Sequence, residues 1–480
     1  MKKAIVIVTA AAVCALSAPL YGCAPEGEET SKYTIEATYD GGNKLTGSVK
    51  LSFYNDTDNA LNSLKFNLWG NAYREGALSS PISDATTAQA YYDGRSYGQM
   101  EIVGADGGEW QVCGDDRNIL EITLPSAIYP DERTEVSIDY ELTLANVNHR
   151  TGVAERSVNL GNFYPILCAY GQSGWLEYTY CPTGDPFVSD VADYSVELTI
   201  PQDYTAAASG ALKERTEGNG QAICRYELSC ARDFAIVLSR EFEVLSCDAG
   251  GVTVNYYYYD DDSAQDCLDV AAESLEYFAN TFGDYPYPTL SVVQTGFCQG
   301  GMEYPALTMI SDNCDRTTAI YTIVHENAHQ WWYAAVGSDG YAHSWQDEGL
   351  AEYSTLMFFE NTPEYGFTKT GLLGSATKAY RAYFSVYNQL FEGADTKMER
   401  TLDEFSGDYE YANIAYNKAL LMFDAVRSAC GDDGFLAALR EYFDEYTGRI
   451  APPEGLIAAF CRRADCEGLF DSFLEGKVII

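Results

Sequence analysis

A chain of 480 residues that is 46% hydrophobic and 14% aromatic can fill two or three packed domains, which excludes a disordered protein. Its formal net charge of −41 repels nucleic acid and anionic lipid headgroups, so neither is an expected partner of the folded surface.

From the first residue onward, Lys2 and Lys3 precede a short apolar run over 4–18, the pattern of an export signal and too short for a membrane span. Leu20-Tyr21-Gly22-Cys23 is similar to a bacterial lipobox. That makes 1–22 a lipoprotein signal peptide, Cys23 the lipidated first residue and 23–32 a polar tether. The expected location is extracytoplasmic, with the protein held to a bacterial membrane by an N-terminal lipid only. Twelve cysteines remain beyond Cys14 and Cys23, an even number whose pairing the spacing leaves open.

Residues 33–250 read as a large antiparallel β domain. Tyr33, Ile35, Ala37 and Tyr39 alternate with polar residues, a turn over 40–43 follows, and Val49, Leu51 and Phe53 resume the alternation. The same pattern returns at 64–69 and 194–200, with Gly- and Asp-rich turns between the runs.

The pattern changes over 251–480. Asp262 and Ser263 can cap a helix that carries Leu268, Ala271, Leu275 and Phe278 at helical spacing and stops at Gly283. A second helix is expected over 317–335, with Ile320, Val324, Ala328, Trp331 and Ala335 on one stripe and His325 and His329 beside it, at the edge of a cleft. Ser344-x-x-Asp347 has the form of a capping box opening the helix that carries Glu348. Further helices are expected over 416–442 and 454–474.

The chemistry concentrates in His325-Glu326-Asn327-Ala328-His329, followed after eighteen residues by Glu348. Histidines four apart on a helix point from one face and can reach one ion. A third ligand from a second helix leaves a tetrahedral zinc with an open position, as catalytic sites have. Glu326, between the histidines, is placed to move a proton rather than to ligate. Upstream, Gly300-Gly301-Met302-Glu303-Tyr304-Pro305 allows close backbone approach by a substrate strand, with one acid able to hold a charged α-amine; the same residues also suit a turn before a buried strand. His149 and His343 read as non-ligands, and the spacing identifies no donor for an oxyanion.

The zinc motif, together with Gly349-Leu350-Ala351-Glu352-Tyr353, resembles the gluzincin aminopeptidases, the aminopeptidase N-like family. Gly-Gly-Met-Glu-Tyr-Pro over 300–305 is similar to that family's exopeptidase motif, and Tyr416-Asn417-Lys418-Ala419 to the segment that carries its oxyanion tyrosine. Lesser matches lie at Arg232-Asp233-Phe234-Ala235 and Tyr285-Pro286-Tyr287-Pro288. The resemblance implies a multi-domain α+β protein: an N-terminal antiparallel β saddle, then a thermolysin-like mixed α/β and mainly helical catalytic domain. It implies one zinc per chain on His325, His329 and Glu348, Glu326 as general base and Tyr416 as oxyanion donor. Glu303, with Gly301 and Met302, would bind peptide substrates by a free N-terminus.

Three departures qualify it. Tyr304 stands where the family has Asn, which is expected to reshape the pocket beside the substrate's first residue. Asp347 replaces the common Asn before the third ligand. The chain ends soon after the catalytic helices, so an open cleft is expected, and with it a rival reading as an endopeptidase. A non-catalytic surface binding protein is the remaining alternative.

Overall fold

The computed structural model describes residues 29–391 and 393–479. The expected signal peptide and Cys23 lie outside them. Ser31 and Lys32, expected in the tether, already belong to the first strand, Ser31–Tyr39.

The first region is a β structure built on a seven-stranded sheet. Its order is Ala211–Gly218, Gln221–Ala231, Ala192–Pro201, Ser31–Tyr39, Lys44–Tyr54, Arg133–Thr143 and Gln99–Asp106. The expected alternation is visible in the first strand, where Tyr33, Ile35, Ala37 and Tyr39 are buried and Thr34, Glu36 and Thr38 are exposed. One pairing differs from the antiparallel expectation: Ser31–Tyr39 runs parallel to Ala192–Pro201. The hairpin with Lys44–Tyr54 occupies one edge of the first strand, and the chain returns to the other edge only after building smaller sheets in between.

The second region begins with a five-stranded mixed sheet in the order Glu243–Ala249, Val252–Tyr258, Thr289–Thr295, Leu307–Ser311, Gly301–Met302. Its first strand enters a few residues ahead of the boundary expected at 250. Helix Ala264–Phe282 crosses between two parallel strands of this sheet, buries Leu268, Ala271, Leu275 and Phe278 as its spacing predicts, and stops at Gly283, whose φ is 151°. A Cβ on Gly283 would lie 2.5 Å from the Phe443 ring, so the close approach of the C-terminal helices also requires glycine there.

Helix Arg316–Ala328 carries the zinc motif and is capped by Asp315, whose carboxylate accepts the Thr318 N–H at 2.8 Å. It ends at Ala328, not at 335 as expected. Beyond it, the N–H groups of Ala334, Ala335 and Val336 reach back five residues to the carbonyls of His329, Gln330 and Trp331. The buried Arg232 guanidinium, from the first region, takes the carbonyls of Tyr333 (2.9 Å) and Ala335 (3.3 Å). Those carbonyls would be free even at the end of a helix running to 335, so the capture fastens the irregular turn, in which Tyr333 leaves the helical region at φ 159°.

The helix with Glu348, Asp347–Asn361, lacks the expected capping box. The Ser344 hydroxyl makes no bond, while the Asp347 carboxylate accepts the Glu348 N–H and the Ser338 hydroxyl, both at 2.8 Å. A 22-residue helix, Lys369–Leu390, was not expected; it buries only Ala376, Tyr380 and Tyr383, so its apolar stripe is thin. A π-helical turn, Ala412–Lys418, leads into helix Ala419–Tyr446, which breaks at Gly431 (φ 68°). Helices Pro453–Cys461 and Glu467–Leu474 divide the expected 454–474 helix in two.

Candidate active site

His325 Nε2 and His329 Nε2 face each other at 3.1 Å, and Glu348 Oε2 lies 3.4 and 3.3 Å from them. His329 Nδ1 lies 3.0 Å from the Trp332 carbonyl, and His325 Nδ1 is at ion-pair distance, 3.1 Å, from Glu352 Oε2. The Trp332 carbonyl only accepts, so a neutral His329 carries its proton on Nδ1 and turns the Nε2 lone pair to the same point that His325 Nε2 faces. Three lone pairs therefore converge on one buried point, and Glu348 Oε2 has no hydrogen-bond donor. A cation resolves that convergence, and a donor set of two imidazoles and one carboxylate suits zinc. The early end of the motif helix contributes, because the turn after His329 brings the Trp332 carbonyl under its imidazole.

The other expected residues surround this point. Glu303, Glu326 and His329 also offer atoms within 4.8 Å of one another. Gly301 and Met302 form the edge strand of the mixed sheet, pairing with Ile310 and Met309 and leaving the other edge unpaired within the sheet. A Cβ on Gly301 would lie 2.3 Å from Glu326 Oε1, so only glycine lets the strand pass this close to the glutamate. Glu326 Oε2 is buried without a partner.

Tyr416, on the π-helical turn, donates its hydroxyl to Glu348 Oε1 and stacks on the His325 ring at 5.7 Å. Tyr411 reaches the same Oε1 at 3.3 Å. Neither other histidine joins the cluster: His149 is buried with Nδ1 2.5 Å from the Tyr73 hydroxyl, and His343 pairs with Glu399. Tyr304 departs from its expected place beside the substrate. It is fully buried, and its hydroxyl donates to Asn162 Oδ1 at 2.9 Å, in a network that continues to Asp233 and ties the two regions together. Its hydroxyl fits there because residue 161 is glycine, where a Cβ would lie 2.1 Å away.

The sequence reading missed three residues. Glu352 orients His325 and is itself held by the Tyr321 hydroxyl. It lay in a quoted motif but had no assigned role. Arg150 and Asp185 come from the first region. Arg150 bonds Met302 Sδ at 3.0 Å and the Tyr180 hydroxyl at 3.1 Å, and pairs with Asp185. No local pattern marks either residue.

The electrostatics follow from crowding acids in a dry place. Burial, reinforced by Asp185, pushes Glu303 up to about 8, and burial with Glu303 nearby pushes Glu326 up to about 8. Burial raises Asp185 to about 6 despite Arg150. Burial raises Glu348 too, but until a cation binds, the two imidazoles hold protons beside its carboxylate and bring it down. The cluster thus holds more carboxylate than its one guanidinium balances, which favours a metal dication and a second, ligand-borne cation.

A mixed five-stranded sheet, a two-histidine helix, a glutamate from the next helix and a second glutamate over the edge strand meet in one buried cluster. Residues 267–473 match the Peptidase family M1 domain. The chain is similar to Aminopeptidase M1-B of Oryza sativa subsp. japonica, 26% identical over 286 residues that cover 56% of this chain and 32% of that protein. It is similar also to Endoplasmic reticulum aminopeptidase 2 of Bos taurus, 24% identical over 232 residues, 43% of this chain and 23% of that protein. The chain therefore matches about a third or less of the length of these relatives. Among solved structures, an M1 zinc metallopeptidase from Deinococcus radiodurans shares the fold over 94% of both chains, with a TM-score of 0.66 and 20% identity. A mutant of that protein bound to a Tyr-Ser-Ala substrate has a TM-score of 0.64 and 19% identity, over 94% of this chain and 95% of its own. By its matched domain, its relatives and its fold, the chain is similar to the aminopeptidase N-like gluzincins, peptidase family M1.

Proposed function

We propose that the protein is a zinc-dependent aminopeptidase that removes N-terminal residues from peptides. The observation that carries this reading is the convergence of His325 Nε2, His329 Nε2 and Glu348 Oε2 on one buried point, with Glu326 and Glu303 beside it. Zinc held there by those three residues supplies a Lewis acid that polarises the scissile carbonyl and acidifies water. Glu326 takes a proton from the attacking water and returns it to the leaving amine, a role that suits a carboxyl whose pKa burial has moved close to neutral. The edge strand Gly301–Met302 offers backbone groups to an extended substrate. Glu303 pairs with the free α-amine, and Asp185 adds negative charge near it. Tyr416 turns its O–H from Glu348 to donate a hydrogen bond to the oxyanion as negative charge develops.

We also propose that Cys23 anchors the protein outside the cytoplasm through lipid. The lipobox-like run supports this, and among the described residues no helix is long and apolar enough to cross a membrane.

The test of the catalytic reading is Glu326→Gln, assayed with aminoacyl fluorogenic amides alongside metal analysis. The expected variant keeps one zinc per chain and loses turnover by a factor of at least ~10². Wild-type-like kcat would remove the assignment.

A further inference from the structure

The C-terminal helices carry three cysteines that the peptidase chemistry does not use. Cys461 ends helix Pro453–Cys461, Cys466 caps helix Glu467–Leu474, and Cys430 lies on the long helix Ala419–Tyr446. The sulfurs of Cys461 and Cys466 are 3.1 Å apart. Cys430 Sγ lies 3.9 Å from the Phe460 carbonyl and also faces the Cys466 thiol. Two sulfurs already this close need only a small side-chain rotation to reach the ~2.05 Å of a covalent bond. Accessibility is graded in the useful order, with Cys461 partly exposed and Cys466 buried. Arg462 and Arg463 occupy the connecting loop, where they pair with Glu441 and Glu445 on the long helix.

We propose that Cys461 and Cys466 form a disulfide by exchange with an external low-molecular-weight disulfide. The Cys461 thiolate attacks one sulfur of that disulfide, forms a mixed disulfide and expels one small thiolate. The Cys466 thiolate then attacks Cys461 Sγ and expels the second. Two thiol protons leave with the two small thiols, the chain loses two electrons, and the external disulfide gains them.

The bond closes the elbow between the last two helices. Phe460 and Phe470, on either side of that elbow, have ring centres 6.0 Å apart, and Phe470 is 6.5 Å from Trp345, which precedes the helix bearing Glu348. Oxidation therefore braces the aromatic wall behind the third ligand and leaves the reacting groups untouched.

The test uses the full chain equilibrated in buffers of rising oxidised-to-reduced glutathione ratio, then quenched by alkylation in denaturant. Trypsin cuts after Arg462 and Arg463, so the pair appears as two peptides joined by a reducible link. The expected result is that the Cys461–Cys466 link forms before any other. The oxidised protein should also melt about 2–4 °C above the reduced one, a difference that disappears in Cys461→Ser. A Cys430–Cys466 link in its place, or full alkylation of both thiols in the most oxidising buffer, overturns the proposal. The peptide map is read on the unsubstituted protein and does not depend on the variant folding.

Discussion

Replacing Gly301 with alanine perturbs the general base without touching it chemically. The added Cβ would lie 2.3 Å from Glu326 Oε1, 2.6 Å from its Cδ and 2.7 Å from its Cγ. Ordinary carbon contacts begin near ~3.5 Å, so one partner must retreat by about 1 Å. The strand is held by its pairing, with Gly301 opposite Ile310 and Met302 opposite Met309, whereas the glutamate is the end of a flexible side chain. The carboxylate therefore moves. A displacement of about 1 Å at a reacting group costs on the order of 10²-fold in rate, or roughly 2.7 kcal/mol of barrier. Folding should change little, because the displaced atoms belong to one side chain. The assay measures kcat and KM on an aminoacyl fluorogenic amide, with zinc content and a thermal melt on the same preparation. The expected variant binds one zinc, melts within a few degrees of wild type and turns over about 10²-fold more slowly. Wild-type-like kcat would refute the placement of Glu326 over the edge strand.

Two further substitutions separate residues that share the site. Tyr416→Phe should lower kcat by roughly 10²–10³ with KM nearly unchanged, since its hydroxyl meets charge that exists only in the transition state. Tyr411→Phe, which removes only the longer 3.3 Å contact to Glu348, should cost much less. Steady-state kinetics on both decide it, and the larger loss at Tyr411 would reverse the roles. Glu352→Gln removes the carboxylate that fixes the His325 ring. Zinc affinity by competition with a chelator should then fall by about 10–100-fold, and unchanged affinity would deny Glu352 that role.

The site was more legible in the sequence than the elements that frame it. Ligand spacing is a property of one helix and its neighbour, so His325, His329 and Glu348 could be read locally, and the structure brings them together. Strand alternation was equally local, as the burial of Ile35, Ala37 and Tyr39 illustrates. The misses share a different cause. The motif helix gives way after Ala328 to an irregular turn that Arg232 fastens through the carbonyls of Tyr333 and Ala335, a contact between distant segments. Asp185 and Arg150 reach the catalytic cluster from the first region, so no spacing could announce them. Tyr304 was expected to reshape the pocket beside the substrate's first residue, and no spacing could announce that its hydroxyl is claimed by Asn162, also far away in sequence. Helix Lys369–Leu390 was overlooked because only three of its residues are buried, too few for a clear periodic signal.

The central claim is that a buried carboxylate on Glu303 reads the free amine of the substrate. It is tested most directly by a double cycle of substrate N-acetylation against Glu303→Gln, with kcat/KM measured at all four corners. A carboxylate held in this dry cluster gains from an ammonium partner, and removing one member of such a pair costs roughly 2–5 kcal/mol. Acetylation should therefore slow the wild type by at least ~30-fold and slow Glu303→Gln far less, so that the two effects do not add. A wild type that cleaves acetylated peptides as fast as free ones would contradict the aminopeptidase account and leave an endopeptidase on the same metal site.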